Sequence, residues 1–275
     1  MFYSPKEMQK MLNDNEFLFK KKFGQNFIID ENIINNIIKV SDLSKDTLVI
    51  EIGPGAGSLT RKLAINAGFV LCYEIDKALK PILDNNLKDF VNVNVIYNDF
   101  LTENIVNELK KYDFNKVCVV ANLPYYITTP IVTKIIDNKI PVDKMVIMVQ
   151  KEVGDRFKAI PNTKDYSSLS VFLNYYFDIK KELDVSKNVF LPRPNVDSIV
   201  ISLTKKEQRN ICLNEDLFFK LIRDAFKQKR KTLKNNLKDY NIEKIEEVLI
   251  KYGFDLSVRA EQLGLDVYID LANNL

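Results

Sequence analysis

The chain has 275 residues, 46% of them hydrophobic and 28% charged, with a net charge of +3, which describes an ordinary globular protein with room for one sizeable domain and a smaller second one. Its longest apolar runs, at 69–73, 117–121 and 145–149, are five residues long, far below the roughly 20 needed to cross a bilayer, and residues 1–20 lack the apolar stretch of a secretory leader, so a cytoplasmic protein is expected. The absence of histidine removes Ser-His-Asp and Cys-His catalysis and every histidine-based metal site, while the widely spaced Cys72, Cys118 and Cys212 fit neither a zinc cluster nor a disulfide framework.

Short β-branched runs at 48–52, 70–75, 93–97, 117–121 and 145–150 alternate with helical stretches, the pattern of a parallel α/β sheet. They are nearly continuous in apolar residues, as strands covered on both faces are. Two further runs, 177–185 and 198–203, have no strong helix between them and are expected as an antiparallel pair at one edge of the sheet. Beyond these the strand pattern stops. Residues 215–227, 229–237, 242–252 and 260–272 read as helices, and the polar stretch 204–210 marks the boundary. Two domains are therefore expected, an α/β domain over 1–205 and a small all-helical domain over 206–275.

The chain has only 8 glycines, yet three fall in Glu51-Ile52-Gly53-Pro54-Gly55-Ala56-Gly57, after the first long strand and before a helix over 58–66. A glycine turn there lets a ligand approach backbone N–H groups at a helix N-terminus; a tight turn with no ligand is the alternative. Glu74 stands at the end of the next strand, where a carboxylate can accept both ribose hydroxyls of a nucleoside. The third glycine comes one residue earlier than in the dinucleotide G-x-G-x-x-G pattern, which disfavours a nicotinamide oxidoreductase. The tighter loop preceded by Glu51 resembles the first motif of S-adenosylmethionine-dependent methyltransferases. Asp99 then falls where such enzymes place an acid on the cofactor's adenine, although it could also serve as a helix N-cap.

Asn122-Leu123-Pro124-Tyr125 follows the fourth of these strands, at the carboxyl edge where open α/β sheets place their sites. It resembles the motif of methyltransferases that act on exocyclic amino groups of bases. Adenine N6 is a poor nucleophile because its lone pair is delocalised. Acceptors at the Asn122 side chain and the Leu123 carbonyl would favour a pyramidal nitrogen, Pro124 would aim that carbonyl, and Tyr125 would offer the base a face.

With Phe23-Gly24-Gln25-Asn26-Phe27, the tetrapeptide's continuation to Pro130 and the stretch Phe190 to Ser198, the chain resembles the ribosomal RNA adenine N6,N6-dimethyltransferase family over nearly its whole length. The small-subunit type matches most closely, through Gln25-Asn26, Leu123 and the helical region. The resemblance implies a Rossmann-like class I methyltransferase sheet, mostly parallel with an antiparallel edge pair, and a small C-terminal helical domain. It further implies S-adenosylmethionine bound by Asn26, the Ile28 backbone, Gly53, Glu74, Asp99 and Asn122, with Phe190 packing on the face of the target adenine opposite Tyr125. From the residues alone Phe190 reads as a core aromatic. The implied reaction is dimethylation of two adjacent adenosines in the 3′-terminal hairpin loop of 16S RNA within an immature small ribosomal subunit, by a monomer needing neither metal nor membrane. The alternatives are the 23S dimethylase that confers macrolide resistance and a noncatalytic assembly factor on the same fold.

Between Lys220 and Lys238 eight basic residues face one acid, Asp224. Lys227, Lys229, Arg230, Lys231 and Lys234 are the expected RNA contacts; Lys227, Arg230, Lys231, Lys234 and Lys238 recur at spacings of three or four, which predicts one helix face. A solvated helix face with no ligand is the alternative. Lys20, Lys21 and Lys22 form a possible second patch beside the site.

Overall fold

Every long apolar run becomes a strand in the computed structural model, which describes residues 5–20, 23–207 and 212–275. The strands are β1 (Phe27–Ile28), β2 (Thr47–Ile52), β3 (Phe69–Tyr73), β4 (Val93–Ile96), β5 (Lys116–Asn122), β6 (Lys144–Gln150), β7 (Phe177–Val185), β8 (Phe190–Leu191) and β9 (Ser198–Lys205). All of β2 is buried, and Val49 and Ile50 have no exposed surface. Burying each such side chain contributes about 1.5–3 kcal/mol before chain entropy is counted. Tyr73 ends β3, so Glu74 stands just past the strand rather than within it.

Seven strands form one sheet in the order β4-β3-β2-β5-β6-β9-β7. The five from β2 to β6 are parallel, and β9 runs antiparallel to β6 with Val200 opposite Met148. After β2 the chain builds outward through β3 and β4, then returns to lay β5 on the other side of β2. The carboxyl ends of β2 and β5 therefore flank a topological switch point, where open α/β sheets form a crevice. A separate antiparallel pair joins β1 to β8, with Ile28 opposite Phe190. No helix among the described residues is long and apolar enough to cross a membrane.

Helix ends follow local chemistry. Asp30 caps the helix Glu31–Ser41 by accepting from the Asn32 N–H (2.8 Å), and Asn214 caps Glu215–Ala225 through the Leu217 N–H (3.0 Å).

The chain divides into two compact units, one of residues 1–154 and 180–205, the other of 155–179 and 206–275. The expected division at 205 is thus corrected: 155–179 groups with the C-terminal helices. Aromatic packing explains this, since Phe172 meets Phe219 at 4.9 Å between ring centroids and Tyr175 meets Phe218 at 4.7 Å. Hydrogen bonding adds to it, as the Tyr175 hydroxyl donates to Glu215 (2.9 Å).

The helix expected over 229–237 shrinks to Leu233–Asn236. The Asn236 side chain donates to the Ala225 and Gln228 carbonyls (2.6 and 3.2 Å), holding 226–232 as turns. That over 260–272 splits into a 3-10 turn, Ala260–Gln262, and the helix Leu265–Asn274, with Gly264 extended between them. Residues 208–210 of the expected boundary stretch lie outside the described residues.

Candidate active site

The loops after β2, β3, β4 and β5 converge with residues 23–28 on one pocket in the first unit. Asn26, Ile28, Gly53, Glu74, Asp99, Asn122, Leu123, Pro124 and Tyr125 all line it. Sequence separation of almost 100 residues between Asn26 and Asn122 is closed by one hydrogen bond, from the Asn122 side-chain Nδ2 to the Asn26 carbonyl (2.8 Å).

Gly53 and Gly55 adopt φ of +73° and +60°, the left-handed region that costs an L-residue about 1–2 kcal/mol. A Cβ on Gly55 would also come within 2.8 Å of the Phe27 ring. Packing against Phe27 and backbone conformation thus account for this glycine without invoking a ligand. The loop is pinned from outside by Asn86, whose buried amide donates to the Ala56 carbonyl (2.9 Å).

Glu74 is 4% exposed, and its two oxygens accept from the Gly55 N–H (3.2 Å) and the Asp76 N–H (2.8 Å). A carboxylate offers about four lone-pair sites, so acceptor capacity remains beyond the backbone N–H groups of Gly55, Asp76 and Ile75. Burial pushes its carboxyl up to about 7, against the pull of those backbone donors. Glu51, fully buried beside the Cys72 thiol (3.5 Å), is pushed up by burial to about 8. Asp99 lines the pocket on the β4 side and accepts the Leu101 N–H (2.9 Å), a local turn rather than a helix cap. Its loop is braced by Lys134, whose ammonium donates to the carbonyls of Phe100, Leu101 and Glu103 at 2.6–2.8 Å.

With its Nδ2 given to Asn26, the amide of Asn122 turns Oδ1 the other way as an acceptor. Leu123 is anchored by its N–H on the Met148 carbonyl (3.1 Å), and Pro124 is extended at ψ 128°. The Tyr125 hydroxyl shares a 2.6 Å hydrogen bond with Ser198 at the start of β9, which fixes its ring. Phe190 is placed differently from the expectation of a base-stacking face. It is 3% exposed, packs in the core with Ile28, Val185 and Val200, and does not line the pocket. Pairing of β8 with β1 draws it inward, so the core-aromatic reading describes this arrangement.

The basic residues Lys227, Lys229, Arg230, Lys231, Lys234 and Lys238 are all exposed in the second unit. They do not share one helix face, because 226–232 forms turns. Lys220 is instead engaged by Asp224 (3.1 Å) and Tyr240 (2.9 Å). Lys21 and Lys22 lie outside the described residues.

Sequence reasoning missed Asp76, Asn86, Lys134 and Ser198. Asp76 stands two residues after Glu74 and signalled itself only by position; Ser198 closes the Phe190 to Ser198 stretch with no role assigned to it there, and Asn86 and Lys134 act from distant elements and left no local signal.

A buried carboxylate past the second strand of a parallel sheet, a glycine turn at the switch point and the Asn122 to Tyr125 tetrapeptide after β5 form the arrangement of a Rossmann-like methyltransferase, a class that uses S-adenosylmethionine. The pocket fits that cofactor on the molecule's own evidence. Glu74 keeps free acceptor sites, and the buried Ser58 hydroxyl on the pocket wall meets no partner among the described residues. The family model for ribosomal RNA adenine dimethylase matches residues 16–275, and the chain belongs to that family. It is 46% identical to a ribosomal RNA small subunit methyltransferase A of Staphylococcus aureus, covering 98% of this chain and 93% of that one. Its counterparts in Oceanobacillus iheyensis (42%, covering 98% and 95%) and Macrococcus caseolyticus (45%, covering 99% and 95%) are similarly close. Among solved structures, a dimethyladenosine transferase from Plasmodium falciparum superposes with a TM-score of 0.75 at 25% identity, covering 89% of this chain and 95% of that one. The 23S rRNA methyltransferase ErmE gives 0.70 at 25% identity, covering 91% and 99%.

Proposed function

We propose that this protein transfers methyl groups from S-adenosylmethionine to N6 of two adjacent adenosines in the 3′-terminal hairpin loop of 16S RNA, acting as a monomer on an immature small subunit in the cytoplasm. The observation that carries the chemistry is the amide of Asn122, held by the Asn26 carbonyl within the pocket that Glu74 and Asp99 also line. The choice of RNA rests on sequence kinship, because the fold matches a dimethyladenosine transferase and a 23S rRNA methyltransferase about equally well, whereas the relatives at 42–46% identity are small-subunit enzymes.

S-adenosylmethionine, when bound, supplies an electrophilic methyl group on a sulfonium whose departure as a neutral thioether needs no further activation. Glu74 would accept from the ribose hydroxyls, Asp99 would accept from the adenine amine, and Asn26 and the Ile28 backbone would close the remaining side. On the substrate side, Asn122 Oδ1 and the Leu123 carbonyl accept the two N6 hydrogens, withdrawing the nitrogen lone pair from the ring and aiming it at the methyl group. Each methylation would exchange one N6 hydrogen for a methyl group, the donor's S–C bond breaking as the N–C bond forms and the proton passing from N6 to water. Tyr125, its hydroxyl tied to Ser198, presents a ring face to the base. After the first transfer N6 keeps one hydrogen, so both acceptors cannot be satisfied and the nitrogen must reorient. The exposed cations of the second unit contact RNA phosphates.

Incubation with tritiated S-adenosylmethionine and purified immature small or large subunits tests the choice of substrate. Label is expected in small-subunit RNA; incorporation confined to the large subunit would replace this reading with the 23S one.

A further inference from the structure

Asn122 can serve as an acceptor toward N6 only if its amide stays in one of two orientations. The Asn26 carbonyl makes that choice, because turning Oδ1 toward it would oppose two acceptors. What fixes the Asn26 peptide is therefore part of the reaction geometry.

On its carboxyl side Asn26 runs into β1, where Phe27 and Ile28 are buried and paired with β8. On its amino side stands a polar anchor. Gln25 donates from Nε2 to Asp76 Oδ2 (2.8 Å) and accepts the Lys20 N–H at Oε1 (3.0 Å). The Lys20 ammonium reaches Asp76 Oδ1 at 2.6 Å, and that oxygen also accepts the Ala78 N–H (3.2 Å). Asp76 is 1% exposed, so its charge is out of water and depends on these donors. Although burial acts to raise it, the hydrogen bonds from Lys20 and Gln25 hold its carboxyl below the ordinary value. The backbone of Asp76 is itself rooted in the cofactor wall, through its N–H on Glu74 Oε1 (2.8 Å).

We propose that Asp76 is a positioning residue for methyl transfer: by gripping Lys20 and Gln25 it fixes the Asn26 carbonyl, which orients the Asn122 amide toward the reacting nitrogen. This rests on the reaction assigned above. Asp76 is not among the residues lining the pocket, and its contact to Glu74 is through the backbone, which a substitution leaves in place. Loss of its charge should therefore act on the rate of transfer more than on cofactor affinity.

The test compares the full-length wild type with Asp76→Asn, Asn122→Ala and the double variant, by single-turnover methylation of immature small subunits and by S-adenosylmethionine titration. Asp76→Asn is expected to slow transfer roughly 10- to 100-fold, the scale of lost charge-assisted hydrogen bonds, with a much smaller change in cofactor Kd. Added to Asn122→Ala it should cause no further loss, because it acts through that side chain. Multiplicative losses in the double variant, an equal weakening of Kd, or an unchanged rate would overturn the inference. If Asp76→Asn does not fold, Gln25→Glu, which sets two carboxylates against each other at a partly exposed position, is expected to slow transfer likewise and to add no loss to Asn122→Ala; because Gln25 lines the pocket, its cofactor Kd is left out of that comparison. A wild type that transfers no methyl group would refute the assigned reaction and this inference with it; wild-type turnover with an unaffected Asp76→Asn rate would refute the inference alone.

Discussion

At the scale of single residues, the site works by assigning each polar atom one partner and leaving one capacity unused. Asn122 spends a donor on Asn26 and keeps its acceptor; Glu74 accepts from backbone N–H groups of its own loop and of Gly55 and keeps further acceptor capacity. Asn122→Ala removes an acceptor aimed at the reacting nitrogen, and the first methylation should fall by roughly 10²–10³-fold. Tyr125→Ala instead removes a stacking face worth about 1–3 kcal/mol. It should weaken productive RNA binding and let monomethyladenosine accumulate, which mass spectrometry of digested RNA would resolve. Glu51 adds a pH signature. Its carboxyl is raised by burial from 4.5 to about 8, so the folded protein retains a proton that the unfolded chain gives up near 4.5. Its contribution to stability is fully present below about pH 4.5 and is lost as pH rises through about 8. Thermal denaturation of the ligand-free protein from pH 5 to 9 should show this decline, and Glu51→Gln should reduce it, leaving the part that the Glu74 carboxyl, raised to about 7, contributes.

Among the secondary elements, the site is a set of strand ends, and strand ends were what the sequence marked best. Apolar runs bounded by Gly, Pro, Asn and Asp located β2 to β6 within two residues and placed Gly53, Glu74, Asp99 and Asn122 at their carboxyl termini. Elements set by tertiary contact were less legible. Asn236 replaces most of a basic helix with turns, and the fate of Phe190 depends on a two-residue strand whose partner lies more than 160 residues away. The role of Gly55 was likewise visible only once Phe27 was seen against it. Gly55→Ala should cost about 1–2 kcal/mol from the left-handed backbone alone, with more from displacing the Phe27 ring. Denaturation and S-adenosylmethionine titration should report lower stability and weaker cofactor binding together.

For the whole molecule, the pocket belongs to one compact unit and the dense basic segment to the other. A chain whose net charge is only +3 gathers eight cations against one acid between Lys220 and Lys238, the concentration that phosphate binding exploits and salt screens. Reversing the charge of Arg230 and Lys231 should weaken association with small-subunit RNA at low salt, narrow the difference from wild type at high salt, and leave S-adenosylmethionine affinity unchanged. Filter binding over a salt series would check it. Composition could announce this segment but not its shape, because the turns that carry it come from contacts with a neighbouring helix end. The central claim is that the Asn122 pocket dimethylates adenine N6 in 16S RNA. Its most direct test is mass spectrometry of nuclease-digested small-subunit RNA after incubation with the purified protein and S-adenosylmethionine. The expected result is N6,N6-dimethyladenosine at two adjacent positions in the 3′-terminal hairpin loop, lost with Asn122→Ala; an unmodified loop with the wild-type protein, or full dimethylation by Asn122→Ala at the wild-type rate, would contradict it.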